Sequence, residues 1–239
     1  MGYVGKKPTA APLTASDVTD GIISNAKLAQ DVISAETALT SAPADTDEFL
    51  LSDAGTLKRI DYSLIKSDPT HVLLSTTTVS SAVAEVDITS NIDSTYSHYK
   101  IMMTNVLSST DGANLQLRFF QGGTVDTGSI YDHAYDRLRN SSTTASISTG
   151  TDASFIGISD SLDSQSSGGL NGTVELFNPA DTSHNTMVKF SHVHQRNSDT
   201  LASFRGGGRI DEATAVDGVR FFMSSGNISG GTFKLYGVN

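Results

Sequence analysis

From Thr70 onward the chain is a succession of short β-branched and aromatic runs, cut repeatedly by turn-forming residues. The breaks are Asp111-Gly112, Gly122-Gly123, Gly168-Gly169, Asn178-Pro179, Gly206-Gly207-Gly208 and Gly230-Gly231. Gly supplies the positive φ that tight turns demand, and Asn and Asp fold back on their own backbone, so such spacing favours strands joined by hairpins. The pattern predicts strands over 71–79, 82–88, 98–107, 114–121, 153–159, 172–178, 186–194, 202–207, 218–224 and 231–238. Many short strands with this punctuation predict an antiparallel β-sandwich, jelly-roll-like, over residues 68–239.

Alternation supports the assignment. Leu115, Leu117 and Phe119 share one face of a strand while Gln116 and Arg118 share the other, and Val219, Phe221 and Met223 stand opposite Arg220 in the same way. Phe120 and Phe222 break the pattern by placing an aromatic on the face expected to be wet. Two readings stand: ordinary surface aromatics, or an outer face covered by another subunit.

The character of the chain changes near Asp68-Pro69, which sets a boundary at about residue 67. Before it, "ISNAKLAQDV" (Ile23 to Val32) runs directly into "ISAETALT" (Ile33 to Thr40), a weak two-unit repeat. Each unit reads as a short helix capped by its Ser, or as a single turn or extended segment docked on a neighbour, and each is too short to be a stable helix alone. The stretch "EFLLSDAGTLKRIDYSLIK" then reads as a hairpin, with strands 48–52 and 56–61 around Asp53-Ala54-Gly55. A lone hairpin is marginal in water, so residues 1–67 are expected to be an arm that takes its order from other chains.

Composition narrows the function classes. Among 239 residues, 26 acidic side chains outweigh 16 basic ones for a net charge of −10, and the basic residues are scattered, which argues against a nucleic-acid partner. Cys is absent, which excludes disulfides and thiolate metal sites. No apolar run approaches the roughly 20 residues that cross a bilayer, and the N-terminus lacks the apolar core of a secretory signal, so membrane insertion is not expected. Asn171-Gly172-Thr173 and Asn227-Ile228-Ser229 match a glycosylation pattern and read as ordinary turns.

No catalytic, cofactor-binding or metal-binding residue is assigned. Asp126-Thr127-Gly128-Ser129 resembles an aspartic-protease loop, but that chemistry needs a second carboxylate sharing the proton, and the chain carries no second copy. His192 and His194 fall on one strand face, as two metal ligands would, yet share it with Val188 and Phe190. A structural or interface role is the expectation for them; metal binding stays open, with His184 too uncertain to count as a third ligand. Gly157-Ile158-Ser159-Asp160-Ser161 lacks the second glycine of a nucleophile elbow. Arg205-Gly206-Gly207-Gly208-Arg209 reads as a flexible hairpin tip, and "YDHAYDRLRN" (Tyr131 to Asn140) as a solvated polar loop by default, with contact to a sugar or a neighbouring subunit as the alternative.

The opening "GYVGKKPTAAPLTASDVTDGIISNAKLAQDVIS" with "DTDEFLLSDAGTLKRIDYSLIK" resembles the N-terminal region of virion structural proteins of marine tailed bacteriophages, a tail-fibre or virion-appendage family. The repeat resembles those that run along trimeric fibres, and the remainder, with "IDSTYSHYKIMMTNV" and "GGTFKLYGVN", is similar to β-sandwich knobs of phage fibres and head decorations. The resemblance implies a non-enzymatic homotrimer in the virion, assembled in the host cytoplasm. It implies attachment through residues 1–67 to a tail hub, an adaptor or the capsid, and a sandwich that meets a host-surface glycan or receptor through loops 160–170 and 211–217. Capsid decoration is the alternative, and a glycan-degrading tailspike enzyme a more distant one.

Overall fold

The computed structural model describes residues 33–67 and 69–239. The chain divides between Ser67 and Asp68 into two compact units.

In the first unit, β1 (Glu48–Asp53) pairs antiparallel with β2 (Thr56–Asp61) in a register that sets Glu48 opposite Asp61 and Asp53 opposite Thr56. The two-residue turn has φ of 49° at Ala54 and 87° at Gly55, the mirror-image geometry whose twist matches a hairpin. Ion pairs Glu48–Arg59 and Asp53–Lys58 tie the strands, and a single 3-10 turn, Tyr62–Leu64, follows. The second unit of the repeat is no helix: Ile33 to Glu36 makes one turn, closed by the Glu36 N–H on the Ile33 carbonyl at 3.2 Å, and residues 37–40 carry no helix or strand. The first unit of the repeat lies outside the described residues. No residue of 33–67 is buried, and Ile33, Leu39, Phe49, Leu50, Leu57, Leu64 and Ile65 are exposed.

The second unit is a mainly β, antiparallel sandwich. Its larger sheet contains β3 (His71–Val79), β5 (His98–Ser108), β8 (Tyr131–Arg139), β9 (Ser142–Ala153), β11 (Leu170–Phe177), β12 (Met187–Gln195), β13 (Leu201–Ile210) and β15 (Ile228–Val238). Their spatial order is β3-β15-β5-β11-β12-β13-β8-β9. The smaller sheet orders β10 (Ile156–Gly157), β6 (Leu115–Gln121), β14 (Gly218–Met223) and β4 (Glu85–Ile88), with β7 (Thr124–Val125) hairpinned onto β6 across Gly122-Gly123. Both glycines there have positive φ, 57° and 74°.

One core lies between the sheets. Leu115, Leu117, Phe119, Val219, Phe221 and Met223 reach in from the smaller sheet to meet Ile101, Val174, Phe190, Phe233 and Leu235. Phe221 and Phe233 join the layers with ring centroids 5.2 Å apart. Period-2 alternation explains the pairing, since each strand sends every second side chain inward. β15 lies between β3 and β5, and the Asn239 N–H reaches the Thr70 carbonyl at 3.1 Å, so the first and last segments of the sandwich lie side by side.

Two sequence expectations are corrected. "YDHAYDRLRN" is not a loop but β8, paired on one side to β13 and on the other to β9. The glycine triplet is not a hairpin tip either, because Gly206–Gly208 sit in mid-β13. A Cβ at Gly206 would stand 2.4 Å from Tyr135 Cβ, 2.5 Å from the Ala134 carbonyl oxygen and 2.8 Å from Phe190 Cζ. Glycine is there for the crowding of aromatic rings, not for flexibility. Gly206→Ala is expected to cost about 1–3 kcal/mol, or more because backbone atoms cannot yield, read as a lowered urea midpoint with unchanged m-value.

Candidate functional site

Motif by motif, the singled-out residues settle into structural surroundings. Asp126 Oδ1 accepts the Gly128 N–H at 2.6 Å, a local turn, while the Asp126 carbonyl accepts the buried Tyr131 hydroxyl at 3.0 Å. Ser159 lies buried, its Oγ accepting the Leu115 N–H at 2.8 Å. Asn171, read as a turn, lies in β11 instead, its Oδ1 accepting the Asn105 N–H at 3.0 Å. Phe120 and Phe222 are covered from within the chain: the Arg220 guanidinium stands 5.4 Å from the Phe120 centroid and that of Arg118 4.6 Å from Phe222.

His192 and His194 lie on the inward face of β12 with Val188 and Phe190, as their spacing dictates. They are 3% and 1% exposed. Phe204 of β13, directly opposite His192 in register, stacks on both rings at 4.8 and 5.1 Å, and Tyr135 closes on Phe204 at 5.4 Å. The imidazoles hold the segment between β10 and β11. His192 Nε2 bonds the Ile158 carbonyl and His194 Nε2 bonds the Asp160 carbonyl at 2.8 Å, so each ring donates through Nε2–H.

Each Nδ1 is buried without a partner, so a second proton there would be desolvated and unanswered. Burial therefore pushes His192 down to about 4. Burial, then the charges of His192, Arg196 and Arg137, pushes His194 down to about 3. This pair is a neutral clamp on a connecting segment. His184 is remote from it in role, exposed and bonded through Nδ1 to Asp181 at 2.8 Å. Among the described residues no group of three or more His, Cys, Asp or Glu side chains is placed to hold a metal ion.

The clamped segment is less free than its Ser/Gly composition suggests. Leu162 is fully buried, and Asp163 accepts the Gln165 N–H at 2.9 Å and the Gln195 amide at 3.0 Å. Of the stretch 160–170 only residues 165–167 are exposed; of 211–217, residues 211–214 are.

The outward face of the larger sheet is the other surface with distinct chemistry. Leu73, Met102, Leu138, Ile147, Phe177, Met187, Val193 and Leu201 all project from it, and they are the exposed large hydrophobics of residues 69–239. Phe177 and Met187 are direct cross-strand partners, and Leu138 and Val193 flank Ser203. Between them run the ion pairs Arg205–Asp136 and Arg209–Asp132, each at 2.9 Å. A shallow depression of about 420 Å³ opens over Ala134, Gly207 and Gly208, where side chains are small, and is rimmed by Asp132, Arg209, Met187 and Thr149.

The residues that sequence reasoning missed lie on β8. Asp132 and Asp136 alternate outward while His133, Tyr135, Arg137 and Arg139 alternate inward. The period-2 signal was present but written in charged residues. No family model, curated protein or solved structure matches the chain.

Proposed function

We propose that the chain is a structural subunit of a tailed-bacteriophage particle. In this reading it is a short trimeric fibre, anchored by residues 1–67 and presenting the β-sandwich to the host surface. The carrying observation is the unit containing β1 and β2: its residues 33–67 include no buried residue yet seven exposed large apolar side chains. A two-stranded hairpin lacks the apolar burial to stabilise itself, so that unit gains its stability by seating Leu50 and Leu57, which share one face, on another surface. The sequence resemblance of the same segment to virion-attachment regions names the surface as another particle protein. The apolar outward face of the larger sheet suits contact between copies, and the exposed residues 165–167 and 211–214 suit a receptor.

Quantitative mass spectrometry and subnanometre imaging of intact particles test the reading. The expected result is a small multiple of three copies at the tail, with the residues from Ile33 to Lys66 ordered against a neighbour. Stoichiometry matching the capsid lattice would instead make the chain a decoration protein. Its absence from purified particles would overturn both.

A further inference from the structure

Three of the eight arginines in the chain converge where the inner face of β8 meets the segment after β10. Arg137 and Arg139 alternate inward from β8, and Arg196 arrives from the end of β12. Asp160 ion-pairs with Arg137 and, at 3.2 Å, with Arg196 Nε. Among the described residues Arg139 has no carboxylate partner; its Nη2 donates to Ser146 Oγ at 3.3 Å. The Nε–H groups of both Arg137 and Arg139 are buried without an acceptor.

Elsewhere in the sandwich Arg205 is matched to Asp136, Arg209 to Asp132 and Asp211, and Arg220 to Asp87 and Glu85, while Arg118 stands alone over Phe222 with its Nε–H on the Ser154 carbonyl. Here three guanidinium charges face one carboxylate, so two positive charges stand uncompensated in a chain whose net charge is −10. Desolvation, followed by repulsion from Arg139 and Arg196, pulls the Arg137 guanidinium below its ordinary range. Holding like charges together out of water costs free energy, and buried donors left unpaired add to it; a doubly charged oxyanion offsets both. Solvent reaches the cluster, since the Arg137, Arg196 and Asp160 side chains retain 18, 15 and 14% of their surface.

We propose that Arg137, Arg139 and Arg196 form a binding site for a phosphate-class dianion, with the Ser146 hydroxyl as a further donor. Two charges on the ligand balance the two in excess, and the guanidinium forks suit tetrahedral oxygens. The proposed virion role enters only in naming where the phosphate belongs, a phosphorylated surface glycan; binding itself does not rest on it.

Titration calorimetry and thermal unfolding of the full chain at constant ionic strength provide the test, with inorganic phosphate, glucose 1-phosphate and acetate against chloride. Saturable heat and a raised melting temperature are expected with the two phosphates and not with acetate. Tighter binding of the sugar phosphate marks a glycan ligand, and equal binding marks free phosphate. Arg139→Gln is expected to weaken binding about tenfold or more, whereas Arg205→Gln on the outward face leaves it unchanged. Should Arg139→Gln fail to fold, Arg139→Lys, which keeps the charge and loses the fork, is expected to weaken it several-fold. A response that follows ionic strength alone, or that survives in both Arg139 variants, overturns the site.

Discussion

Acidification from pH 7 to pH 4 is expected to remove roughly 5 kcal/mol of stability from the sandwich, through His192 and His194. An unfolded histidine titrates near 6.5, while in the fold these two are held down at about 4 and about 3. Between those values the unfolded chain binds more protons, so stability is complete above about pH 6.5 and declines as pH falls toward the folded values. The limiting slope is about 1.4 kcal/mol per pH unit for each ring. His133, half-buried and also shifted down chiefly by desolvation, acts in the same direction.

The carboxylates contribute little to this window. Asp93, Asp132, Asp136 and Asp181 are held by hydrogen bonds below their usual 3.8, so their stabilisation is lost only at lower pH. Urea titrations from pH 7 to 4 read the effect as a falling midpoint. A flat profile, or an equal slope in a His192→Gln/His194→Gln variant, would refute the neutral-clamp reading.

Phe204→Ala is expected to cost about 3–5 kcal/mol, the range for removing a fully buried aromatic ring. Phe204 is 1% exposed and touches His192, His194 and Tyr135 in one stack. The loss therefore extends past a cavity: water gains access to both imidazoles, their folded pKa values move back toward 6.5, and the acid sensitivity shrinks. Two readouts follow from one substitution, a lower midpoint at pH 7 and a shallower dependence on pH. A large stability loss with the full pH slope retained would mean that Phe204 packs against the pair without shielding it.

Much of the sandwich was legible because its strands bury one face in apolar neighbours. β3 was read to the residue, and β5, β6, β11, β12, β14 and β15 within a few. The alternation of Leu115, Leu117 and Phe119, and the shared face of His192 and His194, carried over directly into burial. β8 and β9 escaped for a physical reason. Toward the end of β8 the inward positions Arg137 and Arg139 meet Asp160 and Ser146, so hydrophobicity carries no period there. β9, rich in Ser, Thr and Gly, is an edge strand with little to bury. The triplet Gly206–Gly208 misled because glycine marks close approach as well as turning, and only the positions of Tyr135 and Phe190 decide which. The arginine cluster joins residues 137, 139, 160 and 196, which nothing in local spacing could bring together.

The placement of β15 bears on how the protein is made. On a ribosome β5 is synthesised long before β15, yet β15 must slot between β5 and β3, contributing Phe233 and Leu235 to the core. Every earlier length of nascent chain leaves β3 without its neighbour and one flank of β5 open. The sandwich therefore closes late, once β15 is made, by insertion rather than by accretion at an edge. Until that moment two unsealed strand flanks must be kept from pairing with those of other nascent copies.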